Sequence, residues 1–309
     1  MSGGSPEEDV RRKGIVLAGG RGTRLRPTSR VVSKQLLPVY DKPLVYYPLS
    51  TLMMAGIREI LVITTPEDQP LFRKLLGDGG RWGLRLDYAV QPEPEGVAQA
   101  LVIARDFLDG DPSALVLGDN LFYGDGLGRV LRRAAGRPRG ATVLAQWVSQ
   151  PERYGVVTLD GDGEPLSLVE KPEDPDSHWA VTGLYFYDGR APDFAAGLEP
   201  SDRGELEITD VNRRYLEAGD LSVERLGRGY TWIDAGTCDA LLTAANLVQT
   251  VERRQGLRIA APEEVAWRQG WIDDGELERL ARPLASSGYG RYLLGLLEQE
   301  APGRDGDGG

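Results

Sequence analysis

A run of four residues, Ile15–Ala18, stops abruptly at Gly19, Gly20 and Gly22, and this junction constrains the chain more than any other stretch. A short, fully apolar run is what a strand buried on both faces looks like. Glycines directly after it let backbone N–H groups close on an anion. Five cationic side chains follow, Arg21, Arg24, Arg26, Arg30 and Lys34, with no acidic residue between the first and the last. The whole chain carries a formal net charge of -11, so the basic block runs against its background. A buried strand feeding a flexible cationic loop suits a polyphosphate. The alternative for the segment taken alone is a tight turn with solvated charges.

Downstream, apolar runs of strand length alternate with helical patterns. Strands are expected at Ile60–Thr65, Leu86–Val90 and Ala114–Leu117, and helices from Pro43 to Ala55, near Asp68–Leu76 and over Val97–Phe107. Such alternation implies an α/β fold with a Rossmann-like, largely parallel sheet flanked by helices. After about residue 140 the texture becomes mixed. Thr142–Val148 and Val181–Tyr187 read as strands, and Val156–Leu159 and Leu166–Val169 flank Asp160-Gly161-Asp162-Gly163 as a hairpin. Helices are expected over Glu207–Ala218 and at 237–254, 262–270, 276–282 and 289–297. The reading is one domain over 13–297 in three parts, 13–140, 141–250 and a helical segment at 251–297. Polar, Gly-rich tails at 1–12 and 298–309 are expected to be disordered.

Composition excludes several classes. The acidic balance argues against nucleic acid or an anionic membrane surface as partner. The single cysteine, Cys238, forbids an intrachain disulfide and fits a reducing cytoplasm. No apolar run approaches the ~18 residues of a membrane span, and the N-terminus lacks the apolar core of a secretory signal.

Spacing removes two common phosphate motifs. A dinucleotide-binding GxGxxG starting at Gly20 needs glycine where Leu25 stands, and a P-loop starting at Gly14 needs lysine where Gly20 stands. What remains is LAGG-x-GTRL-x-P followed by SKQLLPV. With VLGDNLFYG, PERYGVV, EKPEDP, AVTGLYFYD, RGELEITDVN and RGYTWIDAGT in order, the chain resembles the sugar-phosphate nucleotidylyltransferases, and among them the bacterial glucose-1-phosphate thymidylyltransferases. The resemblance runs from about residue 13 to 297, and it implies a nucleotide-binding part at 13–140, a sugar-binding part at 141–250 and an assembly segment at 251–297. It implies a mixed, largely parallel sheet of the nucleotide-diphospho-sugar transferase type with a helical C-terminal segment. It further implies a cytoplasmic homotetramer that transfers a thymidylyl group from dTTP to glucose 1-phosphate with Mg2+. UTP, or another sugar 1-phosphate, is the alternative substrate.

The family's site residues carry over position by position. Gly19, Gly20, Gly22, Thr23 and Arg24 cradle the triphosphate, with Arg24 steadying the leaving pyrophosphate and Lys34 reaching the phosphates. Asp119 and Asp234 hold the metal. Leu17, Gln91 and Gly96 meet the pyrimidine; a Gln amide offers the donor and acceptor an imide edge requires. Lys171 holds the sugar phosphate with help from Arg203, Glu170 binds sugar hydroxyls, and Gly155 and Val181 wall the sugar ring. Tyr123, Gly124, Glu264 and Arg268 match a second, regulatory nucleotide-sugar site, while Asp125 and Gly128 stand where histidines are often found. Other departures are Arg21 for the usual serine, Ala235 for threonine and Cys238 for histidine. The lone histidine, His178, reads as surface.

Overall fold

The apolar run at Ile15–Ala18 forms the body of a strand, Lys13–Ala18, in the computed structural model, which describes residues 10–20 and 22–298. Arg21 and most of both expected tails lie outside the described residues. The chain folds as a mixed, largely parallel central sheet flanked by helices, with a helical C-terminal segment. It divides into two compact units. One gathers Gly14–Pro94, Val116–Gly128 and the stretch from Arg228 onward. The other gathers the N-terminal stretch through Lys13, Glu95–Leu115 and Arg129–Gly227.

In the first unit the strand that carries Ile15 runs parallel to Glu59–Thr64, with Ala18 opposite Thr64. That strand runs parallel in turn to Arg85–Val90. Ile15, Val16, Ile60, Val62 and Ile63 are fully buried, as the unbroken apolar runs require. A two-stranded antiparallel ribbon pairs Asn120–Tyr123 with Thr231–Asp234 and sets Asp234 opposite Asn120. The helix expected from Pro43 begins only at Tyr46. Leu44 and Val45 instead donate their N–H groups to the Leu37 and Gln35 carbonyls at 2.9 and 2.8 Å, which holds them in a turn ahead of the helix. The helix Gln69–Leu76 stops at Gly77, whose φ of +66° suits glycine.

In the second unit Ala141–Trp147 lies antiparallel to Trp179–Tyr187 and parallel to Leu221–Leu226. The expected hairpin pairs Gly155–Leu159 with Pro165–Glu170. The strand Leu221–Leu226 is hidden in the sequence by Glu224 and Arg225. Glu224 is buried and tolerated there because Arg133 Nε (3.1 Å) and Arg137 (3.3 Å) reach it. The helix expected over Val97–Phe107 is two pieces, Gln99–Ile103 and Arg105–Leu108.

The C-terminal stretch of the first unit is helical as expected: Cys238–Gln255, Pro262–Arg268, Asp274–Ala281 and Gly288–Glu298. Thr237 caps the first of these by accepting from Ala240 N. Near its other end Glu252, 3% exposed, accepts from Lys42 Nζ at 3.0 Å and from Ile259 N at 2.9 Å, and also pairs with Arg258. Lys42 is equally buried and meets Asp41 at 2.6 Å. Replacing Glu252 by alanine leaves the buried Lys42 and the partly buried Arg258 sharing Asp41. A loss of about 3–5 kcal/mol in unfolding free energy is expected by urea titration, whereas an exposed pair such as Arg282–Glu278 should cost under about 1 kcal/mol.

Candidate active site

Every residue expected at the triphosphate and metal lies in the first unit. The strand Lys13–Ala18 delivers Gly19 to the carboxyl end of the parallel sheet, where open α/β sheets bind ligands. A Cβ at Gly19 would stand 2.1 Å from Gln91 Oε1; the absence of a side chain there is what lets the buried Gln91 lie against the loop. Gln91 is fixed from its other side by its N–H, which donates to the Thr64 carbonyl at 2.8 Å. Gly22 takes φ +56° and opens a single 3-10 turn, Thr23–Leu25, which anchors by burying Leu25 while leaving Thr23 and Arg24 exposed. The Ser29 hydroxyl donates to the Gly22 carbonyl at 2.5 Å and ties the loop back on itself. Leu17 is buried beneath it.

The two aspartates are brought together by backbone geometry. Asp119 lies just past the strand Ser113–Leu117 and its carbonyl accepts the Ala235 N–H at 2.9 Å. Asp234 ends the facing ribbon strand. Asp119 pairs with Lys34 through Oδ2, and its Oδ1 accepts from Asn120 Nδ2 at 2.9 Å. Burial alone would push the Asp119 carboxyl up; the Lys34 ammonium, with hydrogen bonds from Lys34 and Asn120, outweighs it and holds the carboxyl below the usual range. Asp234 behaves oppositely. Burial and the neighbouring Asp119 charge push it up to about 6, against the opposing pull of Lys34 and Arg24, and it hydrogen-bonds to Asp119. Gly236 makes room for this: a Cβ there would sit 2.9 Å from Arg24 Nη2 and 3.0 Å from Asp234 Oδ1.

Two adjoining carboxylates, one of them pushed up to about 6 by burial and by the other's charge, are a hard-oxygen donor set in need of positive charge. Among the described residues there is no group of three or more metal-ligating side chains. The pair therefore fits a hard divalent ion that completes its shell with substrate oxygens and water, not one held in an all-protein cage.

The second unit carries the residues expected at the sugar. Glu170 ends the strand Pro165–Glu170. Its Oε2 accepts from the Thr209 hydroxyl at 2.5 Å, and its Oε1 lies 3.4 Å from Lys171 Nζ and 3.2 Å from Arg203 Nη2. A Cβ at Gly155 would stand 2.9 Å from Thr209 Oγ1 and 3.3 Å from Glu170 Oε2. Lys171 takes φ +42°, and its N–H donates to the Tyr154 carbonyl at 3.0 Å. Arg203 also grips the buried Glu207, through Nε at 3.1 Å and Nη2 at 2.8 Å. Its guanidinium is raised in pKa because these carboxylates outweigh the opposing effect of burial. Val181 is buried in its strand. Gly96, at φ +113°, has the Leu206 backbone where a Cβ would go, 2.4 Å from its carbonyl oxygen.

Of the residues matching a regulatory site, Glu264 accepts from Arg268 Nε at 2.8 Å and from the Tyr292 hydroxyl at 2.7 Å. Tyr123 donates to Gln255 at 3.1 Å, and Gly124 faces the Tyr230 ring. No hydrogen bond among the described residues joins Tyr123 to Glu264 or Arg268. Ala235 is fully buried in an apolar cluster with Leu44, Tyr47 and Leu121, so the departure there alters packing. Cys238 is exposed. His178 is exposed and stacks on Trp147. Sequence reasoning missed Asn120, Trp232, Glu207 and Thr209. Their signal was weak: single residues inside apolar runs or near a helix start, and for Trp232 and Thr209 the partners, Asn120 and Glu170, are distant in sequence.

A model of the nucleotidyl transferase family matches residues 13–251. The glucose-1-phosphate thymidylyltransferase of Xanthomonas campestris pv. campestris is 61% identical over 292 residues, covering 94% of this chain and 99% of the relative. That of Mycolicibacterium smegmatis is 60% identical over 288 residues, covering 93% and 100%. A solved structure described as a glucose-1-phosphate thymidylyltransferase from Bacillus anthracis, in complex with a sucrose, superposes with a TM-score of 0.71 at 40% identity, over 76% of this chain and 94% of that one. A UDP-glucose pyrophosphorylase complexed with UDP-glucose shares the fold, at a TM-score of 0.69 and 22% identity, over 77% of this chain and 98% of that one. On the extent of the family match and the identity of these relatives, the chain belongs to the nucleotidyl transferase family of enzymes.

Proposed function

We propose that the protein joins dTTP to glucose 1-phosphate, giving dTDP-glucose and pyrophosphate. The sugar phosphate oxygen attacks the α-phosphorus in line, the new P–O bond forms, and the bond to the β-phosphate oxygen breaks. Both reactants are polyanions. Two like charges ~4 Å apart at an effective dielectric of about 20 repel by about 4 kcal/mol, so cations and positioning must carry the catalysis. The observation that carries this reading is the convergence of Arg24, Lys34, Asp119 and Asp234 at one end of a parallel sheet. Gly19, Gly20 and Gly22 offer backbone N–H groups to the triphosphate. Arg24 stabilises charge on the departing pyrophosphate, and Lys34 turns from Asp119 to the phosphates. Gln91 reads the pyrimidine edge, with Leu17 and Gly96 completing its surroundings. Lys171 neutralises the sugar phosphate, and Glu170, oriented by Thr209 and Arg203, accepts from sugar hydroxyls; Gly155 and Val181 line the ring. Asp119 and Asp234 would hold Mg2+, which supplies charge neutralisation at the α-phosphate when bound. No side chain becomes covalently attached to the nucleotide.

The test is pyrophosphate release across dTTP and UTP paired with several hexose 1-phosphates. Release should be greatest with dTTP and glucose 1-phosphate. UTP should lag by the ~1–3 kcal/mol a buried methyl confers, or about 5- to 150-fold in kcat/KM. No release with any pair overturns the reading.

A second expected result follows from Asp234. Its folded pKa, about 6, lies above its ordinary 3.8. Such a group contributes stability that is fully present below the ordinary value and lost as pH rises through the folded one. In metal-free protein, wild type should therefore lose stability relative to Asp234→Asn as pH climbs from about 4 to about 6, then run parallel to it. Thermal melts in a chelator check this. Because Mg2+ must displace the same proton, its apparent affinity should fall about tenfold per pH unit below about 6.

Homotetramer assembly through the C-terminal helical stretch completes the proposal. It is supported by Leu242, Leu257 and Leu284, apolar side chains there that are 61, 48 and 40% exposed.

A further inference from the structure

We propose that Trp232 and Asn120 form a relay that fixes the orientation of the Asp119 carboxylate, making both of them positioning residues for the cation site; this rests on the function proposed above. The chemistry of the three groups gives the relay a direction. An indole nitrogen can only donate, a carboxamide donates from one end and accepts at the other, and an ionised carboxylate can only accept. Trp232 Nε1 donates to Asn120 Oδ1, and Asn120 Nδ2 donates to Asp119 Oδ1 at 2.9 Å. The indole thus dictates which way the carboxamide faces. A reversed Asn120 would set its NH2 against the indole N–H and its carbonyl against the carboxylate, two mismatches at a side chain with no solvent exposure to relieve them.

The ribbon explains why these residues can do this. Thr231–Asp234 pairs antiparallel with Asn120–Tyr123, Asp234 lying opposite Asn120 and Trp232 opposite Phe122. Trp232 and Asp234 are two residues apart and so face the same side of the ribbon. The strand that supplies one aspartate therefore also supplies the indole that aims the other. With Oδ1 taken by Asn120, the Asp119 oxygen paired with Lys34 is Oδ2. That is the oxygen released to a cation once Lys34 turns to phosphate. Neighbours that orient a ligating carboxylate typically change metal affinity ~10–100-fold when removed.

The experiment measures Mn2+ affinity by electron paramagnetic resonance in the presence of dTTP and absence of sugar phosphate. It uses the full chain as wild type, Trp232→Phe, Asn120→Ala and the double variant. Trp232→Phe keeps an aromatic ring and removes the donor. A serial relay predicts that Trp232→Phe and Asn120→Ala each weaken Mn2+ binding about tenfold or more. It also predicts that the double variant is no weaker than Asn120→Ala alone, because without the carboxamide the indole has nothing to aim. Multiplicative losses in the double variant would mean independent roles and overturn the relay, as would an unchanged affinity in Trp232→Phe. Should Asn120→Ala fail to fold, Asn120→Ser takes its place in the same cycle with the same criteria. Wild-type turnover is measured alongside. Turnover together with a failed cycle removes the relay alone, and absence of turnover removes the function on which it rests.

Discussion

Asp119→Asn is expected to lower kcat/KM by about 10^3-fold, or ~4 kcal/mol of transition-state stabilisation, while the protein stays folded. The substitution keeps the shape and removes the charge at the point where three interactions meet. Lys34 loses its carboxylate partner. Asn120 Nδ2, which donates to Asp119 Oδ1, must share its position with a second amide that can offer an acceptor to only one of its two neighbours. Asp234 loses the adjacent negative charge that helps raise its pKa, so it should titrate lower in the variant. The cation site keeps one carboxylate of two. Steady-state pyrophosphate release gives the rate and a thermal melt the fold. Retention of more than about a tenth of wild-type kcat/KM would remove Asp119 from the cation site.

Arg24→Ala should lower kcat by about 10^2- to 10^3-fold, the range seen when one group that stabilises developing charge is removed. Affinity for dTTP should change far less, because Lys34 and the glycine backbone still meet the triphosphate. The reason lies in Arg24's position. It is exposed on a 3-10 turn, yet close enough to Gly236 that a Cβ there would meet Nη2 at 2.9 Å. The guanidinium is thus held beside Asp234 by a glycine that leaves space for it. Gly236→Ala should displace Arg24 and reproduce part of the loss, about tenfold in kcat. Single-turnover rates and dTTP binding measured separately distinguish the two effects. A variant impaired only in dTTP binding would make Arg24 a binding residue with no part in charge stabilisation.

Much of this was legible in the sequence. Ile15–Ala18 and Ile60–Thr65 are unbroken apolar runs, and such runs are buried strands almost irrespective of context. The glycine positions were informative because glycine is needed where backbone or ligand must come close. Gly19 makes way for Gln91, Gly155 for Thr209 and Glu170, and Gly236 for Arg24. What stayed hidden depends on partners far along the chain. Leu221–Leu226 is a strand despite Glu224 because Arg133 and Arg137 come to that carboxylate. Pro43 looked like a helix start, but hydrogen bonds from Leu44 and Val45 to Leu37 and Gln35 hold a turn there and the helix begins at Tyr46. The pairing of Arg203 with Glu170, thirty-three residues earlier, depends on a fold that no local pattern announces. Asn120 carried no signal of its own, since a carboxamide's direction is set by an indole more than a hundred residues later.

The proposed reaction is direct in-line transfer at the α-phosphorus, with cations and positioning in place of a protein nucleophile. Its most direct test is the stereochemical course with dTTP made chiral at the α-phosphorus by sulfur substitution and glucose 1-phosphate as acceptor. A single displacement predicts a nucleotide-sugar product with inverted configuration at that phosphorus. Retention would mean two displacements through a covalent nucleotidyl-enzyme, and a protein nucleophile would then be required.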